Sequence, residues 1–117
     1  MGVIRLHTEN EKLIFDEKPI ITSGNININS ISVTVCDKWL SLGETVDFWA
    51  VFFKNENEML KRKLENGSCL IPNEMLIAKG SFYFGIYAEA GNGDRVKTSK
   101  IVDYSVKLGT ATAAEAE

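Results

Sequence analysis

Few residues in this chain could do chemistry, and their spacing does not assemble them. His7 is the only histidine. A general base needs a nucleophile to activate and a third group to orient it. No such set is legible around His7, which reads as a strand or surface residue. Asp47, Glu56, Glu58, Glu74, Glu89, Asp94 and Asp103 are scattered over runs and turns. Carboxylate pairs for glycoside chemistry meet only in space, but this scatter is that of a solvated surface. Gly91-Asn92-Gly93-Asp94 lacks the alternating oxygen ligands and closing Glu of a calcium loop, and reads as a tight turn. No phosphate-cradling glycine loop is present. Two cysteines without clustered histidines make no zinc site by themselves. Cys36 and Cys69 both lie in apolar runs. They read as small buried hydrophobes in a reducing compartment, the alternative being a disulfide across a sandwich. No catalytic residue, metal or cofactor is therefore expected, and a hydrolase would need a nucleophile–base pair that is missing.

What the chain offers instead is surface chemistry. Lys61-Arg62-Lys63 lies between Glu58 and Glu65. It reads as a charged edge strand that resists edge-to-edge aggregation, with contact to an anionic polymer as the rival. Tyr and Trp off a core face suit a protein interface or a sugar platform. Trp49 is read as core. Trp39, Tyr83 and Tyr87 are interaction candidates, against the alternative that they cap the ends of the core.

The elements that position these residues are short. With 117 residues, 44% hydrophobic and 25% charged, the chain is one domain of ordinary globular composition. A net charge of −3 disfavours a general nucleic-acid binder. No apolar run approaches the roughly 18 residues of a membrane span, and Met1 to Arg5 lacks a signal-peptide core. Short alternating runs recur from Val3 to Leu108, broken by Gly, Asn, Asp and Pro. Val3–His7, Leu13–Phe15 and Ile20–Thr22 read as strands, with Pro19 marking an edge or a start. Ile26 and Ile28 alternate on one parity, and Ile31, Val33 and Val35 on the other. Ser30 is therefore expected to be a bulge or a break. Asp37–Glu44 is a loop. In Thr45–Phe53, Phe48, Ala50 and Phe52 face one way and Trp49, Val51 and Phe53 the other, with apolar residues on both faces. Asn66-Gly67 predicts a hairpin joining Met59–Glu65 to Cys69–Ile71. Pro72–Leu76 is one helical turn. Phe82, Phe84, Ile86 and Ala88 share one face of the next strand, and Tyr83, Gly85 and Tyr87 the other. Arg95–Leu108 reads as one long last strand. The sum is an all-β, Ig-like antiparallel β-sandwich of seven to nine strands with one short helical turn. It occupies 1–109, followed by a flexible Ala/Thr/Glu tail over 110–117.

One order of landmarks goes further. It runs Lys18-Pro19-Ile20-Ile21-Thr22-Ser23-Gly24-Asn25, then Ile31-Ser32-Val33-Thr34-Val35, Trp39 and Leu42-Gly43. It continues through Thr45–Phe53, Cys69-Leu70-Ile71-Pro72, Leu76, Gly80-Ser81-Phe82, Gly85-Ile86-Tyr87, Arg95, Thr98 and Val106-Lys107-Leu108-Gly109. Over about nine-tenths of the chain this resembles the N-terminal domain of baseplate-upper-protein-like virion proteins of phages of Gram-positive bacteria. The resemblance implies a non-enzymatic virion protein, made in the bacterial cytoplasm, that assembles as an oligomer on other virion proteins in the tail or baseplate. It adds Arg95 to the interaction candidates and transfers no catalytic residue. Relatives of this kind lead into a longer linker and a distal fibre, whereas this sequence ends eight residues after Gly109. Alternatives are a capsid decoration or head-fibre protein, and a small carbohydrate-binding module.

Overall fold

A computed structural model of the chain describes residues 2–24, 28–40, 46–55, 59–91 and 95–109, without the side chains of residues 38, 40, 95 and 96. The alternation read from the sequence becomes two sheets packed as a sandwich. Ten strands are described: β1 Val3–Glu9, β2 Lys12–Glu17, β3 Ile21–Thr22, β4 Ser30–Thr34, β5 Asp47–Phe53, β6 Met59–Lys63, β7 Ser68–Leu70, β8 Gly80–Glu89, β9 Arg95–Thr98 and β10 Val102–Lys107. Two helical turns accompany them, α1 at Asp37–Leu40 and a 3-10 turn at Asn73–Met75, the latter following Pro72 as expected. One sheet has the order β2-β1-β4-β7; the other is β3-β10-β8-β5-β6, with β9 also on β8. No helix among the described residues is long and apolar enough to cross a membrane.

Period-two patterning decides what is inside. Ile4, Leu6, Leu13, Ile31 and Val33 of the smaller sheet face Ala50, Phe52, Phe82, Phe84, Ile86, Ala88, Tyr104 and Val106 of the larger. Phe84 stacks on Phe52 and Phe82 at 5.8 and 5.9 Å, and Phe15 of β2 meets it edge-on at 6.3 Å, joining the sheets. Such offset and edge-on arrangements suit the ring quadrupole.

The structure departs from the expected strand list at four places. Two pairings are parallel, β1 with β4 and β3 with β10, so neither sheet is purely antiparallel. Asn66 and Gly67 form the expected turn, with φ of 53° and 81° and reciprocal hydrogen bonds between Glu65 and Ser68. Positive φ at both centres fits Asn-Gly. The flanking strands nevertheless belong to different sheets: β6 pairs with β5, and β7 with β4. The turn is where the chain crosses the sandwich. The long last strand is two, because three residues, Ser99–Ile101, oppose two of β8. Ser99 bridges the irregularity, its N–H donating to the Ile86 carbonyl and its Oγ accepting from the Ile86 N–H. Leu108 lies beyond β10 and is exposed. Ser30 begins β4, which makes it a break, while the Asn25–Asn27 part of the preceding alternation lies outside the described residues. So do Thr45 and residues 41–44, the 92–94 turn and the 110–117 tail.

Candidate functional site

The two outer faces of the sandwich differ in chemistry. On the smaller sheet, the outward positions carry Arg5, His7, Glu9, Asp16 and Glu17, with Ser30, Ser32 and Thr34 beside them, and the apolar Val3, Ile14 and half-exposed Leu70 among them. The ionisable groups satisfy one another. His7 Nδ1 lies 2.7 Å from Asp16 and its Nε2 3.8 Å from Glu9, and Arg5 meets Glu17 at 3.5 Å. His7 thus belongs to a surface polar cluster with Asp16 and Glu9, with Thr34 as its neighbour on β4.

The outer face of the larger sheet is aromatic and aliphatic. Register places Met59, Phe53, Tyr83 and Asp103 in one row across β6, β5, β8 and β10. Lys61, Val51 and Gly85 form the next row, and Lys63, Trp49, Tyr87 and Thr98 the one after. Tyr83 stacks on Phe53 at 5.5 Å with 23° between the rings. The Lys61 amine sits 4.2 Å above the Trp49 ring and 5.6 Å from that of Tyr87, cation–π geometry for both. A side chain at Gly85 would press on Ile101 Cδ1, at 2.8 Å from its Cβ. The missing side chain is what lets Ile101 lie over the sheet between the tyrosines. Met59, Ile101 and Tyr83 remain 58%, 51% and 39% exposed. Charge rims the face: Lys63 pairs with Asp47 at 3.5 Å, while Asp103 has no ion-pair partner among the described residues.

The interaction candidates separate accordingly. Tyr83 lies on the face and is open to solvent. Tyr87 lies on the same face but is 7% exposed, covered by its neighbours. Trp39 is no surface residue. It is 0% exposed on α1, and its Nε1–H donates to the Asn10 carbonyl at 2.6 Å, so the indole closes one end of the core. Arg95 pairs with Glu89 on β9, and its side chain lies outside the described residues. Trp49, expected in the core, is half-buried on the outer face instead. Sequence reasoning passed over Met59, read Lys61 only as edge-strand charge, and passed over Ile101. The signal for the first two was the edge position of β6, and for Ile101 its odd parity against Val102, Tyr104 and Val106.

The grooves differ in what lines them. An apolar one of about 450 Å³ is lined by Val33, Thr34, Val35, Phe48, Leu64, Asn66 and Gly67, none of them titratable near neutral pH. One of about 320 Å³ lies against Phe15, Pro19, Ile20 and Tyr104 with Lys18, Asp103 and Lys107 around it, and the Tyr104 hydroxyl donates to the Pro19 carbonyl; one of about 280 Å³ is lined by Glu9, Asn10, Glu11, Lys12 and Lys100. Cys36 and Cys69 are both thiols, each partly buried. Burial pushes the Cys69 thiol up to about 12, with Arg62 pulling weakly the other way, which leaves it a poor nucleophile. Among the described residues, no three His, Cys, Asp or Glu side chains gather as a metal site. Lys61-Arg62-Lys63 forms the edge strand that its charge suggested, β6 pairing with β5 alone. Neither a scan against protein-family models nor a search of curated proteins finds a match to this chain.

Proposed function

We propose that this chain is a non-enzymatic assembly module of a phage or prophage particle, associated with the tail or baseplate. It docks on neighbouring proteins through the outer face of its larger sheet. The observation that carries the docking reading is the contrast between the faces. The smaller sheet shows water mainly hydroxyls and charged groups, with Val3, Ile14 and Leu70 spaced among them and no aromatic ring. The larger shows Met59, Tyr83 and Ile101, exposed and contiguous by register. Contiguous apolar surface rimmed by charge marks interaction sites, and aromatic residues with Met are what interface centres concentrate. The landmarks from Lys18-Pro19 to Gly109 supply the particle. A sugar platform needs ring faces open to the ligand. Here Lys61 caps Trp49, and Tyr83 gives one face to Phe53, which favours a protein partner over a glycan.

The test uses particles purified from an induced lysogen carrying either the natural gene or a Tyr83→Glu variant. The chain is expected in particles of the first kind, by mass spectrometry, and depleted from the second, with the variant's melting temperature nearly unchanged. Absence from the natural particles refutes the virion assignment. Equal incorporation of Tyr83→Glu refutes the docking face.

A further inference from the structure

We infer that Met59 is an oxidation site, and that its sulfoxide turns the outer face of the larger sheet polar. Its effect on docking rests on the interface reading of that face and adds a chemical control to it. Among the described residues, sulfur sits in four side chains, Met59, Met75, Cys36 and Cys69. Met75 is 1% exposed and lies in the core. Cys36 and Cys69 are half-buried against that core. A thiol reacts with peroxide as its thiolate, and burial holds the Cys69 thiol protonated at neutral pH. A thioether needs no ionisation. Met59 is 58% exposed and stands on β6, the last strand of its sheet among the described residues. It is the one sulfur there that is both open to solvent and ready to react.

The step is oxidation of the thioether by hydrogen peroxide. A sulfur lone pair attacks one peroxide oxygen, so that an S–O bond forms as the O–O bond breaks. The attacked oxygen gives its proton to the departing one, which leaves as water. Sulfur is oxidised and peroxide reduced, and methionine sulfoxide reductases reverse the change. The product replaces a flexible apolar side chain with a polar one. Met59 lies directly opposite Phe53 in register, and Phe53 stacks on Tyr83 at 5.5 Å. Opposite side chains of paired strands are close neighbours, so the sulfoxide oxygen enters the row of rings, where Phe53 offers it no donor. A partner that covers this row strips water from that oxygen, and docking weakens. Docking in turn shields the sulfur: the free chain is open to oxidation and the docked chain is closed to it.

The experiment begins with the free full chain under limiting hydrogen peroxide, followed by peptide mass mapping. Met59 is expected to oxidise many-fold faster than Met75, which waits on opening of the core. The oxidised chain should elute earlier from a hydrophobic-interaction column, and peroxide should leave the elution of Met59→Leu where it was. Equal rates at the two methionines overturn the inference, as do cysteines oxidised first or a column shift that survives in Met59→Leu. A part-oxidised preparation is then offered to the lysate of an induced lysogen lacking the gene. The ratio of sulfoxide to thioether at Met59 is compared between input and purified particles. The sulfoxide is expected to be depleted from the particles roughly tenfold. An equal ratio overturns the control over docking. A chain missing from the particles in both forms refutes the interface reading instead, and the free-chain map alone then decides the oxidation site.

Discussion

Phe84 and Tyr83 are neighbours on β8 that face opposite ways, so replacing each with alanine isolates the effect of side. Phe84 is fully buried and meets three rings, Phe52 at 5.8 Å, Phe82 at 5.9 Å and Phe15 at 6.3 Å. Buried Phe→Ala substitutions cost about 3–5 kcal/mol, and each aromatic pair adds roughly 0.5–1.5 kcal/mol beyond area. Phe84→Ala therefore belongs in the upper half of that range, about 4–5 kcal/mol. Tyr83 keeps a single ring partner, Phe53, and its ring is partly in water. Tyr83→Ala should cost about 1 kcal/mol. The loss of strand propensity is common to both and cancels in the comparison. For a chain of this size, roughly 3–5 °C accompanies each kcal/mol, so Phe84→Ala should melt roughly 10–20 °C below Tyr83→Ala. Urea denaturation followed by tryptophan fluorescence checks the free energies, with the m-value held constant. Equal losses, or a larger loss for Tyr83→Ala at unchanged m, would refute the placement of the two faces.

Two further expectations concern residues away from the outer face. Trp39→Phe should lower stability by about 1–3 kcal/mol, because it removes the donor to the Asn10 carbonyl inside the core. An unchanged melting temperature and urea midpoint would return Trp39 to the surface. The Cys69 thiol is held up at about 12 by burial, whereas an unfolded cysteine titrates near 8.5. The unfolded chain thus releases its proton first as pH rises. The stabilisation is complete below the unfolded value and is lost on the way to the folded one. Cys69→Ala should flatten the alkaline fall in urea midpoint between about pH 9 and 12. Superimposed limbs for the two proteins would show that the thiol is not protected.

Parity made much of the fold legible. The inward run Phe82, Phe84, Ile86, Ala88 and the alternation Phe48–Phe53 are each a period-two signal strong enough to assign sides without knowing neighbours. Asn66-Gly67 was legible as a turn because only that chemistry tolerates two positive φ values. Which sheet each arm joins was not, since pairing is decided by residues far along the chain. The same reason hid the parallel pairing of Ile21 with Val106. Trp39 and Trp49 exchanged roles because a tryptophan's burial depends on what covers it. Trp39 reaches a carbonyl on the β1–β2 turn, and Trp49 is half-covered by Lys61 from the next strand. The docking face was half legible: Tyr83 and the odd parity of Trp49, Val51 and Phe53 were in view, but Ile101 came to it only through the irregularity at Ser99.

The parallel seam between β3 and β10 sets the order in which the protein can be completed during synthesis. The smaller sheet has all its strands once Leu70 has left the ribosome. Among the described residues β3 has no sheet partner but β10, and the Tyr104–Pro19 contact beside that seam joins residues 85 positions apart. At roughly 5–20 residues per second, the segment at Ile20 and Ile21 waits on the order of 4–17 s for its neighbour. Through that interval β8, once made, also lacks β10, and the aromatic core is open along one side. A nascent chain stalled before Val102 would therefore present an unclosed hydrophobic seam to chaperones and to other nascent copies. The six residues of β10 are the ones that shut it.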